Sequence, residues 1–311
     1  MKRIILTISV MFICTITSFG QTLKRKSWLG AQIQPVTSEN YKNYGLKEPQ
    51  GLLLTQAVGG TSLALSLKAN DVILNINGKS THDIPELVNI LTQFSEGDKA
   101  EFTIWRNKKK QVIKGSFVGR PLEKDPHAEV IYDMAEYKGG KLRVIINKPK
   151  KEGKLPALLF IPGYTCTTID GLTDNHPYGR VVRAFSETGY VVLRIEKSGL
   201  GDSQNTPPCE DCTLKDEIES FEKGLLKLKS LPYVDQDNIF IFGHSMGGVI
   251  APALAAKHNV KGVMVYGTTA KSWYEYQLEL NRLQGFLAKP EPMEYENYCR
   301  QQAQIAYEYF I

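Results

Sequence analysis

The sequence predicts an α/β protein: a doubly wound, mostly parallel sheet in the second half, preceded by a small β-rich module and an N-terminal export segment. Three observations carry that prediction. From about residue 125 onward, apolar runs ending in glycine-rich turns alternate with amphipathic helical patterns, the order that builds a parallel sheet covered by helices. Before residue 120, shorter strand-like segments surround one helical stripe. The chain opens on Lys2 and Arg3, an apolar run from Ile4 to Phe19 and a small Gly20, the pattern of a cleaved secretory signal.

With 311 residues, 42% apolar and 23% charged, the composition is that of an ordinary globular protein and the length that of two domains. The expected organisation is a signal peptide at residues 1–20, a first module at 24–120 and a second at 121–311. The apolar run before Gly20 is short of the ~20 residues a membrane span needs. Ile13, ahead of Cys14, is too large for a lipoprotein cleavage site, so no stable membrane anchor is expected. The mature protein is expected to be secreted or periplasmic.

Residues 21–120 carry 14 Lys/Arg against 8 Asp/Glu, whereas 121–311 carry 22 against 25. The basic excess of the first module sits largely in Lys24-Arg25-Lys26 and Arg106 to Lys110. Neither run is interleaved with aromatics or embedded in a nucleic-acid motif, so nucleic acid is not an expected partner. Four cysteines follow the export segment: Cys166, Cys209, Cys212 and Cys299. Export permits disulfides, and Cys209-Glu-Asp-Cys212 suits a tight local bridge or a redox pair. No second ligand pair stands at zinc spacing, so no metal is expected.

In the first module, Trp28 to Ile33, Gly51 to Val58 and Asp71 to Lys79 read as strands, the last running into an Asn-Gly turn. Asp83-Ile84-Pro85-Glu86 opens a helix with a capping box and proline in its first turn. Ile84, Leu87, Val88 and Leu91 then form one apolar stripe. Glu101 to Arg106 and Gln111 to Val118 read as a hairpin around the lysine run. The stretches WLGAQI, GLLLTQAV, LSLKANDVILNINGK and EGDKAEFTIWRN resemble a PDZ domain of the bacterial periplasmic protease type. Ser66 and Asn70 stand where that family usually has glycine; Asn tolerates a left-handed backbone best among the other residues, so the turn at Asn70 is expected to persist. The resemblance implies peptide binding by strand addition to an open edge. That edge is expected at Leu52 to Leu54, with amides near Gly51, Leu52 and Leu53 holding a peptide carboxylate. The other reading is a groove filled by the protein's own chain.

In the second module, Leu142 to Ile146, Leu155 to Ile161, Tyr190 to Ile195, Ile239 to Phe242 and Gly262 to Gly267 are apolar runs, as expected of strands buried on both faces. Tyr178 to Glu187, Leu214 to Leu228 and Met246 to Lys257 read as helices. Gly243-His244-Ser245-Met246-Gly247 fits G-x-S-x-G where a strand turns into a helix. A serine on such a strained turn holds its hydroxyl clear of the sheet. The following helix N-terminus offers amides and partial positive charge to a developing oxyanion.

The stretches LLFIPGY, VVLRIEKSGLGDS, LPYVDQDNIFIFGHSMGG and VKGVMVYGT resemble α/β-hydrolases of the serine aminopeptidase, dienelactone hydrolase and prolyl-oligopeptidase group. The resemblance implies hydrolysis of an ester, thioester or peptide bond of a small acyl or peptide substrate, through an acyl-enzyme on Ser245 and without a cofactor. Tyr164 N–H, in the loop after Ile161, and Met246 N–H are then the two oxyanion donors. In that fold an acid and a histidine follow the nucleophile in chain order. Only His258 follows Ser245 here, and it is expected to be solvated or capping. His244 is expected to pack locally. His176 precedes a helix on the catalytic edge and is the substitute candidate for the base. Asp202 and Glu196 come too early in the chain for the usual acid and suit turns or ion pairs. The segment Lys271 to Ile311 reads as helices like the cap this family inserts over its site. The hydrolase sheet is therefore expected to be incomplete and the chain truncated, lacking the catalytic acid and histidine. The competing reading is a non-catalytic peptide-binding or scaffold protein with a degenerate hydrolase fold.

Overall fold

The computed structural model describes residues 23–288 and 291–310; the expected signal peptide at 1–20 lies outside the described residues. The first module is built from β1 (Ala31–Pro35), β2 (Leu52–Ala57), a one-turn α1 (Gly60–Ala64), β3 (Val72–Ile76), β4 (Lys79–Ser80), α2 (Ile84–Thr92), β5 (Lys99–Arg106) and β6 (Lys109–Ser116). The sheet order is β1-β2-β3-β5-β6, with β4 attached to β3. Its local chemistry follows the sequence closely. Asn107 and Lys108, at φ +52° and +59°, make the two-residue turn between β5 and β6, the mirror-image turn that matches strand twist. Ser66 and Asn70 adopt φ +54° and +71° without glycine. The Asp83 carboxylate accepts from Glu86 N at 2.8 Å, while Glu86 reaches back to His82 N rather than to the cap residue itself.

Two expectations for this module need correction. Leu52 to Leu54 are not an open edge: Leu52 is paired with Pro35 of β1 on one side and with Ile73 of β3 on the other. A peptide cannot add where both ladder directions are taken, and Gly51, Leu52 and Leu53 are buried. The free edge next to α2 is β1. The stripe on α2 also divides. Leu87 enters the core and Leu91 packs against it, whereas Ile84 and Val88 stay 42% and 53% exposed; Ile90, outside the stripe, is buried.

The second module continues with β7 (Ala128–Tyr137), β8 (Gly140–Pro149), β9 (Leu155–Ile161), α3 (Pro177–Thr188), β10 (Val191–Ile195), α4 (Leu214–Ser230), β11 (Val234–His244), α5 (Gly247–Lys257), β12 (Gly262–Tyr266), α6 (Trp273–Ala288) and α7 (Pro292–Phe310). The sheet order is β12-β11-β9-β10-β8-β7. Strands β10, β9, β11 and β12 run parallel, and β7 and β8 add an antiparallel hairpin. Every residue of β10 is buried and all but one of β9, as continuous apolar runs demand in a sheet covered on both faces. The run in β12 departs from that rule. It is the last strand of the sheet among the described residues, and Val263, Val265 and Tyr266 are exposed. Helix α4 carries the full capping box, Thr213 with Asp216, and buries Phe221, Leu225 and Leu228 against the sheet.

The two modules are joined by buried charge. Arg25 donates to Asp170 at 2.6 Å and to Asp202 at 2.5 Å, and Lys26 N donates to Asp202 at 2.7 Å. Arg143 donates to Asp202 at 3.2 Å and to Leu23 O at 2.7 Å. Tyr132 donates to Asp170 and packs its ring under the Arg25 guanidinium. Asp202 thus has the ion-pair role its position suggested, with its partner across the module boundary.

Candidate active site

Strand β11 ends at His244, and Ser245 turns the chain at φ +55° before α5 begins at Gly247. That left-handed backbone is strained for a serine. It persists because its surroundings fix it. Ser245 N donates to Tyr266 O at 2.9 Å, and Ser245 O accepts from Gly248 N at 2.8 Å. The glycines on either side permit the crossing: a β-carbon on Gly243 would stand 2.1 Å from Gly247 O, and one on Gly247 would stand 2.3 Å from Ile161 O.

Ser245 lines a cavity of about 860 Å³ together with Tyr164 and Met246. A β-carbon on Gly163 would lie 3.3 Å from Ser245 Cβ, so the loop after β9 passes directly beside the serine. Among the described residues, neither Tyr164 N–H nor Met246 N–H has a hydrogen-bond acceptor, and Ser245 Oγ has no partner. Gly163 N–H, by contrast, donates to Tyr178 Oη at 3.1 Å. The structure therefore brings together Ser245, Tyr164 and Met246, the three hydrolase positions singled out by the sequence. Gly51, Leu52 and Leu53 belong to the other module and lie in its core.

The cavity walls come from segments far apart in the chain. Trp273 of α6 packs edge-on against Tyr164 at 5.8 Å and beside Tyr276 at 5.5 Å, giving one aromatic side. The lining also includes Leu214, Glu217, Glu210, Cys166, Cys209 and Cys212. The local Cys209–Cys212 bridge does not form: Cys209 is joined to Cys166, and Cys212 is a free thiol on the same cavity. The disulfide ties the loop carrying Tyr164 to the segment before α4. Behind the wall, Lys197 pairs with Glu217 at 3.0 Å, both buried. Burial pulls the lysine down and pushes the carboxyl up, each countered by its partner.

None of the histidines bonds Ser245. His176 caps α3, its Nδ1 accepting from Tyr178 N at 3.2 Å. His258 ends α5 and pairs with Glu222 at 2.6 Å. His244 packs locally, against Tyr266 and Tyr178, and shares a 2.7 Å hydrogen bond with Tyr178 Oη. Glu196 is fully buried, accepts from Thr168 Oγ1 and from Ile169 N, and is pushed up to about 7 by its burial. Among the described residues no cluster of His, Cys, Asp or Glu could hold a metal ion.

A second groove lies between β1 and α2. Leu29, Ala31 and Ile33 face Leu87, Val88 and Leu91 across about 410 Å³. One end is walled by Asp170, Leu200 and Asp202 of the second module, with Lys26 and Arg120 beside them.

The α/β hydrolase fold family matches residues 156–304, and the PDZ domain family matches residues 29–114. Probable periplasmic serine endoproteases of the DegP-like kind are similar in part: that of Bartonella henselae is 34% identical over 115 residues, covering 37% of this chain and 22% of the relative. That of Brucella suis is 32% identical over 100 residues, covering 32% of this chain and 20% of the relative. The chain thus spans about a fifth of the length of these curated relatives. Among solved structures, the HtrA-type protease AlgW with a decapeptide aligns over 32% of this chain and 31% of its own, at 25% identity and a TM-score of 0.29. Acetyl xylan esterase 1 from Thermoanaerobacterium aligns over 58% of this chain and 64% of its own, at 20% identity and a TM-score of 0.39. Sequence families, sheet order and the strand–serine–helix turn agree on one statement: the chain carries a PDZ domain followed by a domain of the α/β hydrolase fold.

Proposed function

We propose that the protein is an exported serine hydrolase that cleaves an ester, thioester or peptide bond through an acyl-enzyme on Ser245, and that its PDZ domain takes a peptide C-terminus in the β1–α2 groove. One observation carries the reading. A serine held at φ +55° and two amides without acceptors, Tyr164 N–H and Met246 N–H, meet at one cavity. In this reading Ser245 Oγ attacks the acyl carbon and the carbonyl oxygen takes its charge between the two amides. Collapse expels the alcohol, thiol or amine, and water then releases the acid. Each amide donor of this kind is worth roughly 10²–10³ in rate. A cavity of about 860 Å³ with an aromatic wall suits a small acyl group or a short peptide. The export segment read at residues 1–20 and the periplasmic relatives support a secreted or periplasmic location.

Ser245 Oγ lacks a partner among the described residues, so we assign neither the acid nor the base within them. The same observation favours a second reading, in which the hydrolase domain is a scaffold and the groove carries the function. The two separate on one experiment: mass spectrometry after incubation with an activated butyryl ester. An acyl adduct on Ser245, absent in Ser245→Ala, supports the enzyme. No adduct, with peptide binding retained, supports the scaffold. The groove has its own check, because Val88 is 53% exposed and outside the core. Val88→Glu should weaken binding of peptides with an apolar C-terminal residue at least ~10-fold by fluorescence anisotropy while leaving the melting temperature within a few degrees. Unchanged affinity would place the peptide elsewhere.

A further inference from the structure

We infer that Tyr178 and His244 are positioning residues that brace the loop bearing Tyr164, and that they do so through a directional hydrogen-bond relay ending on the Gly163 amide. The inference rests on the proposed chemistry at Ser245 for its consequence, though not for its geometry. Gly163 N–H donates to Tyr178 Oη at 3.1 Å, and Tyr178 Oη stands 2.7 Å from His244 Nδ1. A phenol has one proton and can accept as well as donate. Since the glycine amide can only donate, the phenol's own proton is free for His244, and the relay is complete when Nδ1 is the acceptor. That direction requires the Nε2–H tautomer, with Nδ1 unprotonated. The imidazole is itself held, by stacking on Tyr266 at 5.7 Å and by being the last residue of β11.

The brace lies where it can act on the site. A β-carbon at Gly163 would be 3.3 Å from Ser245 Cβ, 3.5 Å from Tyr178 Oη and 3.6 Å from His244 Nδ1, so four groups converge on one point. Tyr178 is anchored independently. It is the second residue of α3, and its ring packs edge-on against Phe160 at 5.0 Å. The relay thus ties the loop after β9 to β11, the strand that presents Ser245, and to α3. It also occupies the Gly163 amide. That amide is therefore not an oxyanion donor, which leaves the next one, Tyr164 N–H, without an acceptor among the described residues and in a residue that lines the cavity. His244, at the variable position of the serine motif, has a task that its neighbourhood sets rather than the motif.

The test reads the relay without requiring turnover. Long-range ¹H–¹⁵N correlation on the full chain, with His244→Gln used for assignment, should show His244 protonated at Nε2 and unprotonated at Nδ1. Tyr178→Phe should shift the Nδ1 resonance and speed amide exchange at Gly163 roughly tenfold, the worth of one net hydrogen bond. With the activated ester, Tyr178→Phe should lower the acylation rate constant ~10-fold with the half-saturating ester concentration within twofold. His244→Gln, which keeps an acceptor, should retain more rate than His244→Phe. A protonated Nδ1, or Gly163 exchange unchanged in Tyr178→Phe, overturns the inference. A wild-type chain that forms no acyl adduct would instead remove the hydrolase reading, with the relay still decided by tautomer and exchange.

Discussion

At the residue scale, the site depends on a few atoms that are missing or buried. Gly243 is one. Because its β-carbon would meet Gly247 O at 2.1 Å, Gly243→Ala should force the strand–helix crossing apart, lowering acylation of Ser245 more than ~10²-fold while Ser245→Ala leaves the melting temperature nearly unchanged. Acylation of Gly243→Ala within a few-fold of wild type would mean that the crossing tolerates the added β-carbon. Glu196 makes a second prediction. Its carboxyl is raised from 4.5 to about 7 in the folded protein by burial, so the folded state binds the proton more tightly than the unfolded chain does. Its contribution is present below pH ~4.5 and is lost as pH rises through ~7, by roughly 3 kcal/mol on linkage grounds. The stability difference between wild type and Glu196→Gln, followed by urea unfolding across that range, should therefore drift against the wild type as pH rises. A flat difference would contradict it. The turn at Ser245 and Met246 was legible because a local motif, G-x-S-x-G, fixes it, and the loop at Tyr164 because an apolar strand ends just before it. Tyr178 was not, because it meets His244 66 positions further along the chain and no local pattern encodes that meeting.

At the element scale, period and capping read well and partnership read poorly. The span of β9, the start of α4 at Leu214 and the proline-led start of α2 came straight from the sequence, since each is decided by residues a few positions apart. The edge of the first sheet did not. Leu52 to Leu54 is an unbroken apolar run, and such a run signals an interior strand at least as strongly as a binding edge. The topology puts it between β1 and β3. The same limit appears in α2, whose single apolar stripe divides: Leu87 enters the core, Val88 lines the groove and Ile84 stays exposed. It appears again in β12, apolar in sequence yet exposed at Val265 and Tyr266. The disulfide followed neither local spacing nor motif, joining Cys166 to Cys209 across 43 positions. That pairing holds the Tyr164 loop against the segment before α4, a connection made by the fold rather than by the C-x-x-C spacing.

At the scale of the whole molecule, the PDZ and hydrolase domains meet through charge that neither could bury alone. Arg25 is 8% exposed in its side chain and bonds two carboxylates that are 2% and 3% exposed. Arg25→Met would leave Asp170 and Asp202 short of their countercharge and should cost about 3–5 kcal/mol in urea unfolding. Lys24→Ala, at a pair whose lysine is 65% exposed, should cost less than ~1 kcal/mol. A small effect of Arg25→Met would show the domains to be only loosely joined. The central claim is that Ser245 is the nucleophile of the site, and a fluorophosphonate tests it most directly. We predict phosphonylation mapped to Ser245, slow because no base bonds its hydroxyl among the described residues, and abolished in Ser245→Ala. Absence of label at Ser245 over the same hours, with the protein folded, would contradict the account.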